Sequence, residues 1–376
     1  MTTSDEREYK LLINTSRDFA KKILLPHREE NDRYPLADMD EKIMEKAYEL
    51  DFFHVWLPEE LGGFGGHLKK LVLILENIAE TDAGMAVMIL INAMAQEIIL
   101  QAGEGKALAD ICTREKSVHD FLIAFPAFTN PFETSSVANA RKKGDTYILN
   151  GETPYVVLGN ISGQALVYAK IEGDDSDSFF LVDLKAGSVR TGDPVISLGL
   201  HACPVCDVCF HDTEAMIIGE KGKAPDYFNR MYGTFMLAGA SIAAGIMRGA
   251  FDDALAYCRN RVQGGRPIGN WSELQLMLSH MALTVKNAET MIACLCEGGA
   301  GKGTEGDEGI ISASIPIFDQ ARDVTSSGIQ ALGGYGYMED YSQEKRFRDA
   351  QHLQSFLGRA TLKKLNFLKS FYKLAS

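Results

Sequence analysis

The texture of the chain changes twice, and that order limits the folds available to it. Short β-type runs (Phe121 to Phe125, Thr146 to Leu149, Ala165 to Ala169, Phe179 to Leu184, Val205 to Phe210) are separated by Gly144-Asp145, Asn150-Gly151 and Gly173-Asp174-Asp175. Turn residues between such runs predict antiparallel strands. On the N-terminal side Tyr9, Leu12, Ile13, Phe19, Ile23 and Leu24, then Ile43, Met44, Ala47 and Tyr48, recur at helical spacing. Pro26, Pro35 and the run Pro58 to Gly66 break those helices. After about Pro225 helical texture returns, and Met236 to Arg259 carries Ala and Gly that permit close helix contact. The reading is an α+β multidomain chain: an N-terminal α-helical domain (1–118), a central antiparallel β-domain (119–225) and a C-terminal four-helix bundle (226–376).

Of the 376 residues 46 % are hydrophobic, the share of a packed globular protein, so a disordered chain is excluded. With 38 basic and 51 acidic side chains the net charge is −13, which argues against nucleic acid as a partner. The N-terminus opens on acids and lacks a secretory h-region. The apolar stretch from Met85 to Leu100 is interrupted by Asn92, Gln96 and Glu97, short of the ~20 clean residues that span a bilayer, so no membrane span is expected. Seven scattered cysteines favour reduced thiols, hence a cytoplasmic location.

Six segments, in order, then resemble the acyl-CoA dehydrogenase family: Pro58 to Gly63, Gly151 to Asn160, Leu198 to Leu200, Arg261 to Ile268, Gln330 to Tyr337, and Arg348-Asp349-Ala350. The resemblance implies FAD at a subunit interface, an acyl-CoA thioester as substrate and an electron-transferring flavoprotein as acceptor. It also implies two sets of flavin contacts. The set lent to a neighbour's flavin is retained as Arg261, Gln263, Gln330, Gly333 and Gly334, with Gly264 where the family has Phe. An Arg suits a pyrophosphate, and glycines let backbone approach a cofactor.

The set for the chain's own flavin is altered. The family's Thr-Glu-Pro-Gly-x-Gly-Ser loop reads Thr129-Asn130-Pro131-Phe132-Glu133-Thr134-Ser135, keeping Thr129 and Ser135. The Trp/Phe-Ile-Thr-Asn strand reads Tyr155-Val156-Val157-Leu158, so at Val157 only backbone remains for hydrogen bonding. Proton abstraction from the thioester needs a positioned base. The family's usual Glu, nine residues after the Arg of Arg-Asp-Ala, corresponds to Leu357, and the following Thr to Arg359. The bundle-borne alternative falls at Phe235, or at Gly233 if the alignment slips by two, and the CoA-holding Arg at Met236, with Arg230 a possible substitute. Glu133, Glu97 and Asp82 are candidate replacement bases; the Tyr232 phenol is a poor one.

Cys203, Cys206, Cys209 and His211 resemble a metal site, but strand alternation separates them and metal is not expected. Gly298 to Thr304 lacks the Lys-Ser/Thr of a phosphate loop and reads as a connection. Three functions remain open: the base-less subunit of a hetero-oligomeric acyl-CoA dehydrogenase with a catalytic sister; a stand-alone flavoenzyme with a relocated base, acting on a cyclic or dicarboxylic acyl-CoA; and a flavin-free structural or regulatory paralogue.

Overall fold

A computed structural model describes residues 3–33, 39–130, 133, 137–173, 177–298 and 307–372. Pro35, Asp174, Asp175, Ser135 and residues 299–304 lie outside the described residues. The helix, strand, helix order is as the sequence predicts.

The N-terminal part holds α1 (Thr3–Phe19), α2 (Arg28–Asn31), α3 (Glu41–Glu49), α4 (Leu68–Ala79), α5 (Ala83–Gln101), α6 (Gly105–Arg114) and α7 (Val118–Phe121). Asp82 caps α5 by accepting from the N–H groups of Gly84 and Met85 at 2.8 and 3.3 Å, replacing partners that the first helical turn lacks. Helix α5 is apolar around most of its circumference, which makes it a core helix. The sequence reading expects no membrane span, and the burial of the two most apolar helices agrees with it. By length and composition alone, α5 and the 37-residue α8 (Ala224–Asn260) could each cross a membrane. Their most apolar windows are 89 % and 83 % buried inside the protein, which is where that hydrophobicity is used.

The β-part contains β1 (Ile123–Ala124), β2 (Asn139–Lys143), β3 (Thr146–Val157), β4 (Gln164–Ile171), β5 (Asp177–Asp183), β6 (Val189–Thr191) and β7 (Val205–Ile218). Successive pairings β2–β3–β7–β5–β4–β2 close a circuit. Closure corrects the purely antiparallel expectation, because β4 meets β1 and β2 in parallel over two residue pairs each. Gly144-Asp145 forms the predicted β2–β3 turn. Asn150-Gly151 does not turn: β3 runs through it with a register shift, and Gly151 (φ 113°) leaves room for the Val137 carbonyl. Likewise, Phe121 ends helix α7 rather than opening a strand.

Helix α8 packs with α9 (Ser272–Glu297), α10 (Asp307–Leu332) and α11 (Gln343–Leu353) into the C-terminal bundle, with α12 (Ala360–Tyr372) against α10. The small residues of α8 do what their size allows. Gly245 lies under the Glu76 carbonyl and Ala79 of α4, so close that a Cβ would overlap them. Arg248, one helical turn on, reaches Glu76, Glu80 (3.0 Å) and Glu289 (3.5 Å), tying α4, α8 and α9.

Candidate functional site

One cavity of about 700 Å³ gathers Arg261, Gln263, Gln330, Gly333 and Gly334, although Arg261 and Gln330 are far apart in sequence. Helix α8 ends at Asn260, and Arg261 leaves it in extended conformation, followed by a hairpin of β8 (Val262–Gln263) and β9 (Arg266–Pro267). Gly264 and Gly265 make the turn at φ 64° and 81°. On the facing side α10 stops where Gly333 turns to φ 61°, and Gly336 nests on the Ile329 carbonyl with no room for a Cβ. Sequence reasoning missed Trp271. Its indole lies 2.9 Å from where a Gly264 Cβ would stand, bringing an aromatic to the place left by the family's Phe, and it stacks under Arg266 at 3.8 Å. The Arg261 guanidinium sits 5.6 Å over the Tyr335 ring. Among the described residues, the side chains of Arg261, Gln263 and Gln330 have no hydrogen-bond partner.

The second group of expected cofactor residues is in a different condition. Thr129 donates its hydroxyl to the Pro126 carbonyl at 2.9 Å. Val157 is wholly buried, and its N–H and C=O are both paired with Phe125 at 3.1 Å. The backbone on which the sequence reading relied at Val157 is therefore already engaged. Tyr155 is half exposed at φ 55°, its N–H held by Asp207 at 2.9 Å. Ser135 is outside the described residues. None of these residues lines the Arg261 cavity. An FAD fits the Arg261 side, with its unengaged donors and glycine backbone. On the Thr129–Val157 side the described groups that would hold it are already engaged, Thr129 by Pro126, Val157 by Phe125 and the Tyr155 N–H by Asp207.

Leu357 is wholly buried at φ 55° in the turn between α11 and α12, and its N–H bonds the Ala127 carbonyl at 2.8 Å. Phe235, Met236 and Gly233 are also buried. Arg230 is not turned to an interior site: its Nε bonds the Asp226 carbonyl at 3.4 Å and the guanidinium lies over Tyr227.

The candidate bases are each engaged. Asp82 caps α5 and faces Lys345 at 3.7 Å, while burial raises its pKa above the usual carboxylate range. Glu97 accepts from Trp56 (2.7 Å) and Gln101 (2.6 Å) at the wall of a second cavity, of about 1050 Å³. Glu133 accepts from Arg359. Burial, and then the charge of Glu133, pushes the Tyr232 phenol up to about 12. Burial pushes the Lys363 ammonium down to about 8.

Cys203 precedes β7 instead of lying on it, a correction to the strand placement; Cys206 and Cys209 are three apart within β7 and so face opposite ways. All seven cysteines are free, and no group of three metal-ligating residues occurs among the described residues.

A helical N-terminal part, a closed β-circuit and a C-terminal helical bundle with a cavity at the end of α8 make a three-part architecture. The acyl-CoA dehydrogenase N-terminal domain pattern matches residues 6–109 and the C-terminal domain pattern residues 230–366, so the chain belongs to the acyl-CoA dehydrogenase family, whose members bind FAD. A 3-(aryl)acrylate reductase of Clostridium sporogenes is 28 % identical, covering 97 % of this chain and 99 % of its own length. The caffeyl-CoA reductase-Etf complex subunit CarC of Acetobacterium woodii is 27 % identical over 95 % of this chain and 96 % of its own. A solved structure titled for the electron transferring flavoprotein of Acidaminococcus fermentans contains a similar chain, 26 % identical with a TM-score of 0.87, covering 99 % of this chain and 98 % of that one.

Proposed function

We propose that this chain is the base-less subunit of a hetero-oligomeric, FAD-dependent acyl-CoA dehydrogenase, and that it completes a flavin site whose other half and whose base come from a sister subunit. One observation carries the reading. Arg261, Gln263 and Gln330 stand in one open cavity with side chains that make no hydrogen bond among the described residues, and Leu357, which the motif spacing aligns with the family's base, is buried hydrocarbon. FAD, when bound, supplies the hydride acceptor. Arg261 supplies a planar fork of donors suited to a pyrophosphate, and Gly333 and Gly334 let the α10 terminus come against the cofactor. An acyl-CoA thioester is the substrate class, and an electron-transferring flavoprotein is the redox partner, supported by the likeness to the Acetobacterium Etf-complex subunit and to the chain in the Acidaminococcus flavoprotein structure. Seven free thiols support a cytoplasmic setting.

The test is expression with and without a candidate sister dehydrogenase, followed by visible spectroscopy. The chain alone is expected to be colourless, and the co-expressed pair yellow and bleached by acyl-CoA. A chain that carries stoichiometric FAD alone and bleaches with acyl-CoA overturns the reading in favour of the stand-alone flavoenzyme. A pair that forms without flavin points to the structural paralogue.

A further inference from the structure

The contact that most sets this chain's own half-site apart joins residues 226 positions apart in sequence. One carboxylate oxygen of Glu133 accepts from the Arg359 backbone N–H at 3.0 Å and from its Nε at 3.3 Å. Arg359 stands immediately before α12, and its carbonyl takes the Lys363 N–H at 3.0 Å, so the carboxylate sits at the N-terminus of a 13-residue helix. First-turn N–H groups lack intrahelical partners, and that end of the helix attracts negative charge. The usual remedy is a Ser, Thr, Asp or Asn in the capping position itself. Here that position holds an Arg, and the anion arrives from a remote loop.

The Glu133 side chain is only 5 % exposed, and its second oxygen is buried with no hydrogen-bond partner. Gly358 (φ 120°) permits the approach, since a Cβ there would lie 2.6 Å from that oxygen. A helix N-terminus together with a guanidinium is a seat for phosphate-type anions. In this chain the seat is taken by a carboxylate with one oxygen still bare.

The neighbouring backbone is fastened as well. Leu357 gives its N–H to Ala127 (2.8 Å) and its carbonyl accepts from Asn130 (3.3 Å), while Lys363 Nζ donates to the carbonyls of Gln354 (3.0 Å) and Phe356 (2.7 Å). Ala127, Asn130 and Glu133 are thus tied to the turn at 354–359.

We propose that Glu133 is a built-in anion that occupies a phosphate seat formed by Arg359 and the N-terminus of α12, and thereby keeps this chain's own flavin half-site shut. The seat stands on its own geometry; its meaning for flavin content, one FAD per mixed pair of chains, rests on the half-site reading above.

The seat is tested by calorimetric titration of the full chain with inorganic pyrophosphate. Glu133→Gln is expected to gain binding about tenfold or more tighter than the wild type, and Glu133→Gln/Arg359→Ala to lose that gain. Arg359→Ala alone, an exposed change that leaves the core intact, is expected to alter nothing while Glu133 is in place. No gain in Glu133→Gln, retention of the gain in the double variant, or weakened binding in Arg359→Ala alone each overturns the seat. Should Glu133→Gln fail to fold, Glu133→Ala is titrated in its place, alone and with Arg359→Ala, with the same two expectations. The flavin-to-chain ratio of the assembled pair is the independent arm: one per two chains is expected, and two per pair overturns the proposal. An assembled pair without flavin instead overturns the half-site reading and leaves the pyrophosphate series to judge the seat.

Discussion

The Trp56 indole lies against the Phe235 ring, centroids 5.0 Å apart, and donates its N–H to Glu97 at 2.7 Å. Trp56 thereby links Phe235 of α8 to Glu97 of α5. Phe235 is wholly buried, so truncation leaves a void: Phe235→Ala is expected to cost about 3–5 kcal/mol in urea unfolding. Phe235→Glu is expected to lose a comparable amount, because a carboxylate there has no counter-charge, and to confer no dehydrogenase activity. A glutamate tolerated within about 0.5 kcal/mol of wild type would mean that the position opens to solvent or ligand.

Leu357 gives a parallel expectation. Its backbone holds Ala127, and its side chain has no contact with solvent. Leu357→Glu introduces the residue type that the motif spacing aligns with this position, and places an ionised group in a packed apolar site. It is expected to reduce stability by about 2 kcal/mol or more, and a pH series should show the loss shrinking in acid, where the introduced carboxyl is neutral. Equal destabilisation at all pH values would contradict a buried carboxylate.

Asp32, His201 and Arg348 join the N-terminal helices, the segment before β7, and α11. The His201 ring nitrogens lie 2.9 Å from the Asp32 carbonyl and 3.0 Å from the Ser197 carbonyl, with the Arg348 guanidinium 3.5 Å from Nδ1. The Asp32 hydrogen bond raises the His201 pKa, partly offset by burial. Burial acts to raise the Asp32 pKa, but hydrogen bonds from His201 and Arg348 and the charge of Lys345 prevail and hold it far below the usual range. For a raised imidazole the stabilisation is complete below its unfolded pKa of about 6.5 and fades as pH rises through the folded value. For a depressed carboxylate it is complete above about 3.9 and fades in acid. The junction is therefore strongest at about pH 4–6.5; the wild type is expected to lose Tm between pH 6 and 8, and His201→Gln to flatten that fall.

What the sequence disclosed depended on the range of each interaction. The Gly144-Asp145 turn is local, set by backbone preferences of a few adjacent residues, and it stands where expected. Asn150-Gly151 has the same composition as a turn, yet the pairing of β3 with β7 uses its positive φ for a register shift. At Val157 the residue type told only what was missing; that its backbone is taken by Phe125 depends on strand placement. The Glu133–Arg359 contact and the indole of Trp271 under Gly264 required three-dimensional proximity that no local pattern encodes.

Arg261 provides the most direct check on the half-site reading. It is exposed, follows the end of α8 and makes one aromatic contact with Tyr335, so removing it disturbs no packed interior. Arg261→Ala is expected to leave the urea midpoint of the chain within about 0.5 kcal/mol of wild type. In the co-expressed pair it removes charge-assisted hydrogen bonds to the cofactor, each worth about 1.5–3 kcal/mol, so FAD affinity should fall about 10- to 100-fold. Arg261→Lys keeps the charge but loses the planar fork, and is expected to fall between the two. Flavin release during dialysis, followed by fluorescence, reads the difference. If Arg261→Ala retains flavin as tightly as wild type while the pair remains assembled, the cavity at the α8 terminus does not hold the cofactor.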